Sequence, residues 1–153
     1  MKKVLSVTPA AGAVDGALLI ARIGIALLML SHGLPKMVML FSGNPVQFIP
    51  VFGMSAEVSL ALTVFAEVFC SLLLLAGLGT RLAVVPLIIT MLVAAFVIHA
   101  ADPFAKQEPS LQYLLVYLVL LLAGSGKFSA DYLLQRKSAK VLHVKSSDTA
   151  LSA

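Results

Sequence analysis

The chain has 153 residues, of which 60% are hydrophobic and only 12% are charged, and its mean hydropathy is +1.03. A soluble domain has about 25% charged residues, so a water-soluble fold of this length could not bury so much apolar surface. The net charge of +4 does not indicate nucleic-acid binding, because the basic residues lie at the chain ends and beside apolar runs, and Trp is absent. Composition and the apolar runs together predict an all-α fold, a four-helix transmembrane bundle.

The first apolar run covers residues 17–34 and predicts a first membrane helix, since about 20 apolar residues span a bilayer. The small residues 10–13 precede this run, whereas a signal-peptide cleavage site should follow it, so we expect the helix to be retained. Residues 35–55 are rich in Pro and Gly but are too apolar for a solvated loop. We expect this segment to lie along the membrane surface or to fold back over the bundle.

Three further apolar runs predict helices over about residues 56–78, 82–100 and 110–123. The last run is short, so its helix should start within the polar connector 102–109 or lie where the bilayer thins. Helices two and four open and close with similar short motifs. This faint repeat leaves open whether the bundle is a duplicated two-helix hairpin.

Four crossings place both chain termini on one side of the membrane. Most lysines and arginines then fall on that side, which predicts a multi-pass protein with both termini in the cytoplasm. The predicted organisation is an N-terminal cytoplasmic arm over residues 1–13, a membrane domain over 14–132 and a basic cytoplasmic tail over 133–153. We expect the tail to be mostly disordered and to contact anionic headgroups.

A carboxyl group near the middle of the second helix is the most informative feature. Glu67 has apolar or small neighbours on both sides, and an acid at this depth needs neutralisation or a cationic partner. Polar residues recur at every fourth position along this helix, at Ser55, Ser59, Thr63, Glu67 and Ser71, so this face should look into the bundle. Close helix packing explains the hydroxyl residues equally well. Arg22 in the first helix is the expected partner of Glu67, and the alternative is that Arg22 extends to the headgroups.

Ionisable residues also gather at the other predicted membrane face. They are His32, Lys36, His99 and Glu108, with Tyr113 and Tyr117 one turn apart beneath them. Histidine can pass protons near neutral pH, although such groups also mark the lipid headgroup level. We expect no metal site, because His32 and His99 lack a second ligand at helical spacing and Cys70 is the only cysteine.

Several short motifs occur in a characteristic order. They are Arg22-Ile23-Gly24, His32-Gly33-Leu34-Pro35-Lys36, Glu67, Gly77-Leu78-Gly79-Thr80-Arg81, His99 and Gly126-Lys127-Phe128-Ser129-Ala130-Asp131. Over about residues 15–132 the chain resembles the DoxX family of small four-helix bacterial membrane proteins. Only Ala130 departs from the family's closing motif, where a leucine is more common. The positions that match the family are Arg22, His32, Lys36, Glu67, Arg81 and His99.

The resemblance implies a multi-pass protein of the bacterial plasma (inner) membrane. Some members of the family are subunits of a thiosulfate:quinone oxidoreductase, others form a membrane complex with soluble oxidative-stress enzymes, and most have no assigned activity. We therefore expect an accessory subunit of a membrane redox complex that binds a quinone or a similar amphipathic ligand. The chain itself carries no cofactor, and whether it takes part in catalysis is open.

In this hypothesis Glu67, His32 and His99 move protons. The residues expected to contact the ligand are Arg22, Lys36, Thr63, Ser71, Tyr113 and Tyr117. The expected partners are the lipid bilayer and another membrane or membrane-associated redox protein or a second copy of the chain. Two alternatives are a non-enzymatic assembly or scaffold protein and a small proton-coupled carrier acting as an oligomer.

Overall fold

The computed structural model describes residues 12–137, and its regular elements in this range are helices. The four long helices are α1 (Ala13–Phe41), α2 (Ala56–Ala76), α3 (Thr80–Ile98) and α4 (Phe104–Ala123), and residues 130–137 form a short fifth helix. The predicted all-α class is confirmed. The expectations for the arm over residues 1–11 and for the tail over 138–153 lie outside the described residues, whereas residues 133–137, which we assigned to the tail, are helical.

The long helices pack in a ring, in which each contacts its neighbours in the chain and α4 returns to α1. The core consists of small and aliphatic side chains such as Ala26, Leu74 and Leu87, which are completely buried. The outer faces carry exposed large apolar residues, including Ile20 and Leu82. A surface of this kind suits acyl chains, because lipid requires no polar outer face.

Three of these helices, α1, α2 and α3, are long and apolar enough to cross a membrane. The fourth helix begins inside the predicted polar connector, at Phe104, so its first turns carry charged residues such as Lys106 and Glu108. Its 20 residues extend for about 30 Å. Its second half is apolar and packs mainly on α3.

The first helix extends further than the sequence predicted. We expected it to end before Pro35, but it continues to Phe41 with Pro35 inside it. Met37 and Leu40 in this extension pack against a buried apolar cluster of α2 that contains Leu60 and Val64. This contact offsets the backbone hydrogen bond that proline removes.

The segment after α1 folds back over the helices. Residues 45–50 have no regular structure, and Val46 and Phe48 pack on the same apolar cluster of α2. The Val51 N–H donates a hydrogen bond to the Ser59 hydroxyl at 3.2 Å. Of the two expected shapes for this segment, the structure has the one that covers the helices. We call this end of the fold, with residues 42–55 and 99–103, the loop end.

The opposite end contains the start of α1, the turn 77–79 and residues 124–137, and we call it the tail end. Arg22 is only 2% exposed there and donates hydrogen bonds to the backbone carbonyls of Ser125 and Phe128 at 2.8 and 2.7 Å. Asp131 caps the start of α3 by accepting from the backbone N–H groups of Gly79 and Thr80. These contacts join the C-terminal segment to the turn between α2 and α3.

Gly77 makes this arrangement possible. Its φ is +68°, and a Cβ atom there would clash with Nη1 of Arg22 and lie 2.8 Å from the Ser129 Cβ. A side chain at this position would therefore displace a buried guanidinium from its carbonyl partners. Gly79 offers a direct comparison, since its φ is +58° but a Cβ there would meet nothing within 4 Å.

We predict that Gly77→Ala destabilises the fold much more than Gly79→Ala. A positive φ costs roughly 1–2 kcal/mol in either variant, whereas hydrogen bonds to a charged group contribute about 1.5–3 kcal/mol each and only Gly77→Ala disturbs them. The measurement is thermal or denaturant unfolding of the purified protein in detergent. Equal losses in the two variants would show that the packing of Arg22 on Gly77 contributes nothing.

Candidate functional site

The Glu67 carboxylate is buried between α1 and α2 and is paired with a lysine. Its side chain is 3% exposed, and Nζ of Lys36 donates hydrogen bonds to Oε1 and Oε2 at 2.6 and 2.7 Å. Glu67 therefore faces the interior, as its position in the helix predicted. The expected partner was wrong, because Arg22 bonds to backbone carbonyls at the tail end. Lys36 takes its place since α1 continues past Pro35 and carries the lysine to α2.

A glycine on α1 brings the two helices close enough for this pair. A Cβ atom at Gly33 would lie 2.8 Å from Cγ2 of Val68 and 3.0 Å from the Glu67 Cβ. The backbones of α1 and α2 can approach at this point only because Gly33 has no side chain. Lys36 lies about one turn further along α1 and so reaches the carboxylate. Sequence reasoning used Gly33 only as part of a motif and missed this role, although a small residue inside an apolar helix is the usual sign of a close crossing.

The pair lies beside two local irregularities in the helices. Residues Phe65–Cys70 of α2, which include Glu67, and residues Ala94–Ile98 of α3 are wound as π-helix. Such segments are rare and occur often at functional sites, because the extra residue per turn redirects side chains. The helical periodicity of the sequence gave no signal for either segment.

Both π segments border one cavity of about 370 Å³ at the loop end, formed by α1, α2 and α3 and covered by residues 47–51. Its polar lining consists of Lys36, Thr63, Glu67, Thr90, His99 and Gln47, and the rest is apolar. The size falls within the range of about 300–1,000 Å³ that is usual for small-molecule sites. A mostly apolar chamber with a few polar groups suits a ligand that is itself amphipathic.

His99 ends α3 and is held by an aspartate that the sequence analysis did not single out. Its Nδ1 lies 2.7 Å from Oδ2 of Asp102, and Nζ of Lys106 lies 3.4 Å from the other carboxylate oxygen. The hydrogen bond with His99 lowers the pKa of the Asp102 carboxyl, and Lys106 acts in the same direction. The amide of Gln107 donates to the backbone carbonyl of His99 at 2.8 Å. The spacing of three residues between His99 and Asp102 could have indicated this contact.

Aromatic side chains of α4 extend the polar region toward the core. The ring centroid of Tyr113 lies 5.9 Å from that of His32 and 6.1 Å from that of Tyr117. The hydroxyl groups of Tyr117 and Ser71 are buried and accept or donate no hydrogen bond within the described residues. None of these four residues is part of the cavity lining.

The predicted site residues thus separate into three places. Lys36, Thr63, Glu67 and His99 meet at the cavity, and the His32 ring makes an edge-to-face contact with Tyr113 of α4. Arg22 lies apart from them at the tail end. Glu108, which we expected at the same membrane face as His32 and His99, is exposed and accepts a hydrogen bond from Gln112 at 3.0 Å.

No group of three or more His, Cys, Asp or Glu side chains within residues 12–137 could hold a metal ion. Cys70 is buried and free of disulfide bonds. Lys36, Glu67 and His99 line the cavity and can form hydrogen bonds with a ligand and transfer protons.

We predict that Gly33→Ala weakens the contact between α1 and α2 and lowers the stability by about 1–3 kcal/mol, the usual effect of overpacking a close crossing. Gly24→Ala is the matched control, because Gly24 lies in the same helix and a Cβ there would meet nothing within 4 Å. The control should be neutral or slightly stabilising, since Ala favours a helix. Unfolding in detergent measures both variants, and a neutral Gly33→Ala would contradict the close approach.

Comparison with known proteins supports the family that the motifs suggest. The family model described as DoxX matches residues 17–100, a little over half of the chain. This range contains Lys36, Glu67 and His99. A search of curated proteins and a search of solved structures each gave no match. The extent of the family match shows that the chain belongs to the DoxX family.

Proposed function

We propose that this protein is an accessory subunit of a membrane redox complex and that it binds a quinone or a similar amphipathic ligand in the cavity at the loop end. The observation that carries the proposal is the Lys36–Glu67 pair, a buried ion pair that borders a largely apolar cavity. Burial of an ion pair is a weak source of stability by itself. A charged pair kept beside a cavity inside apolar helices is better explained by a ligand.

The lining supports a ligand with a polar head and an apolar body. Lys36 remains 30% exposed and can donate a hydrogen bond to a ligand oxygen, and Thr63 lies beside it in the same cavity. Glu67 holds the lysine in place and can exchange a proton with it. His99 is 34% exposed, so it can pass a proton between the cavity and solvent. Electrons must come from or go to a partner protein, which is why an accessory role fits this chain.

Four of the predicted ligand contacts lie outside the cavity lining and have other roles in this proposal. Arg22 fastens the tail end to the helices and has no part in binding. The side chains of Tyr113, Tyr117 and Ser71 lie next to the core and do not line the cavity. Their hydroxyl groups would therefore not contact the ligand directly. His32 contacts Tyr113 and would take part in proton movement through that tyrosine.

We further propose that α4 is a fourth crossing and that both termini lie in the cytoplasm of a bacterial cell. The helix is long enough, at 20 residues, and it packs mainly on α3. Its polar first turns would lie at the outer headgroup level, where Lys106 and Glu108 can reach water.

Labelling with a membrane-impermeant maleimide on intact cells tests this topology. In a Cys70→Ala background, Ser42→Cys and Lys106→Cys at the loop end should react in intact cells. Gln135→Cys at the tail end should react only after the membrane is disrupted. Labelling of Gln135→Cys in intact cells would contradict either the fourth crossing or the cytoplasmic termini.

Ligand binding tests the proposed function itself. The purified protein in lipid nanodiscs should bind a short-chain quinone saturably, and Glu67→Gln should weaken this binding about tenfold or more, because Lys36 loses its charged partner and its position. Tenfold corresponds to about 1.4 kcal/mol. The matched control is Glu57→Gln, which changes an exposed glutamate of the same helix and should bind as the unchanged protein does.

A second variant keeps the test decisive if Glu67→Gln fails to fold. Ala94→Leu places a larger side chain in the cavity lining without altering the ion pair, and it should also reduce quinone binding. Absence of saturable binding by the unchanged protein would refute the proposed function. So would Glu67→Gln and Ala94→Leu variants that both bind quinone as tightly as the unchanged protein does.

A further inference from the structure

We propose that Asp102 and His99 form a dyad that makes the cavity select the reduced, hydroxyl-bearing form of its ligand, a hydroquinone in preference to a quinone. The choice of ligand rests on the proposed function, whereas the dyad itself is a property of the chain. His99 is the group that touches the ligand. Asp102 is a positioning residue that acts through His99.

The contact between the two side chains decides which ring nitrogen faces the ligand. A carboxylate can only accept hydrogen bonds, so the nitrogen that lies 2.7 Å from Oδ2 of Asp102, which is Nδ1, carries the hydrogen. In the neutral ring the other nitrogen, Nε2, then has a free lone pair. Because His99 lines the cavity and Nδ1 is occupied, Nε2 is the nitrogen left for a ligand. An acceptor of this kind recognises an O–H group and gives a carbonyl oxygen no hydrogen bond.

Two residues of α4 also contact the segment that carries His99 and Asp102. Nζ of Lys106 lies 3.4 Å from its other oxygen, and Gln107 donates to the backbone carbonyls of both His99 and Asp102. The charged groups around His99 are therefore Asp102 and Lys106 on the loop side, with Lys36 and Glu67 at the cavity. The aspartate is the only one of these in direct contact with the ring within the described residues.

Lys36 supplies a complementary donor. An ammonium group has three N–H bonds, and two of them point to the oxygens of Glu67. The third remains for a ligand oxygen. The cavity thus offers one acceptor at His99 and one donor at Lys36, and each oxygen of a hydroquinone can both donate and accept. A quinone can satisfy Lys36 but leaves Nε2 of His99 without a donor.

The same geometry supports a balanced proton transfer. When the ligand O–H bond breaks, an Nε2–H bond forms, and the resulting imidazolium is next to the Asp102 carboxylate. The hydroquinone becomes a monoanion whose charge lies near the Lys36 ammonium. The electrons stay on the ligand in this step, and the imidazolium returns to its neutral form by releasing the proton to solvent at the exposed edge of His99.

Nitrogen NMR of the ligand-free protein, labelled with ¹⁵N at histidine, tests the dyad. In the neutral ring, Nδ1 of His99 should be the protonated nitrogen. Asp102→Asn should reduce the share of this tautomer, because an amide can donate as well as accept. Lys106→Gln is the matched control and should leave the tautomer unchanged, since it removes only the longer contact to Asp102. The three histidines of the chain are assigned by single substitutions.

Protonation of the His99 ring mainly at Nε2 would overturn the inference. So would a tautomer ratio that stays the same in Asp102→Asn. A merely structural role of Asp102 would change stability without changing the tautomer. The readout therefore separates positioning from folding.

Ligand selectivity provides the second test. The unchanged protein should bind a short-chain hydroquinone about tenfold more tightly than its dimethyl ether, which has no O–H donor, and the ratio should approach one in Asp102→Asn. A tenfold ratio corresponds to about 1.4 kcal/mol, within the range for an unmade buried hydrogen bond. If the protein binds quinone but binds the hydroquinone no more tightly than the dimethyl ether, this inference is wrong while the proposed function stands. If neither form binds, both are wrong.

Discussion

The burial of one carboxylate constrains the rest of the loop end. Glu67 lies inside a helix that is surrounded by apolar residues, and a charge at this depth is tolerated only with a partner of opposite sign. Lys36 can be that partner because α1 continues past Pro35 and because Gly33 lets the two backbones approach. Glu67 itself lies in a π segment, Phe65–Cys70, that borders the cavity. The length of α1 and the close approach of the two backbones together bring the charged groups into contact.

The two ends of the fold use their charged residues differently. At the tail end, Arg22 and Asp131 bond to backbone groups and so fasten the C-terminal segment to the helices. At the loop end, Lys36, Glu67 and His99 keep part of their hydrogen-bonding capacity and share a cavity. Side chains that hold distant backbone segments together stabilise a fold, whereas ionisable side chains beside a largely apolar cavity can bind a ligand. This difference is why we place the function at the loop end.

The site is shaped by residues other than the charged positions that match the family, as much as by those positions themselves. Asp102 sets the orientation of His99, and the π segment of α3 places Ala94 and Ile98 at the cavity wall. The covering segment over 47–51 closes the cavity from the loop side. Variation at these positions could change the ligand without changing the ion pair, and a family with one fold could serve several partners in this way.

The sequence by itself determined the helical class, the membrane character, three of the spans and the inward direction of Glu67, because hydropathy and helical periodicity are local properties that one chain segment expresses alone. It also contained the ionisable residues of the cavity. Only the tertiary structure decided that Lys36 and not Arg22 pairs with Glu67, that α1 passes through Pro35, and that Asp102 holds His99. These outcomes depend on how closely two helices approach and on how each is wound. Distances between helices follow from the packing of the whole ring, which no single segment encodes.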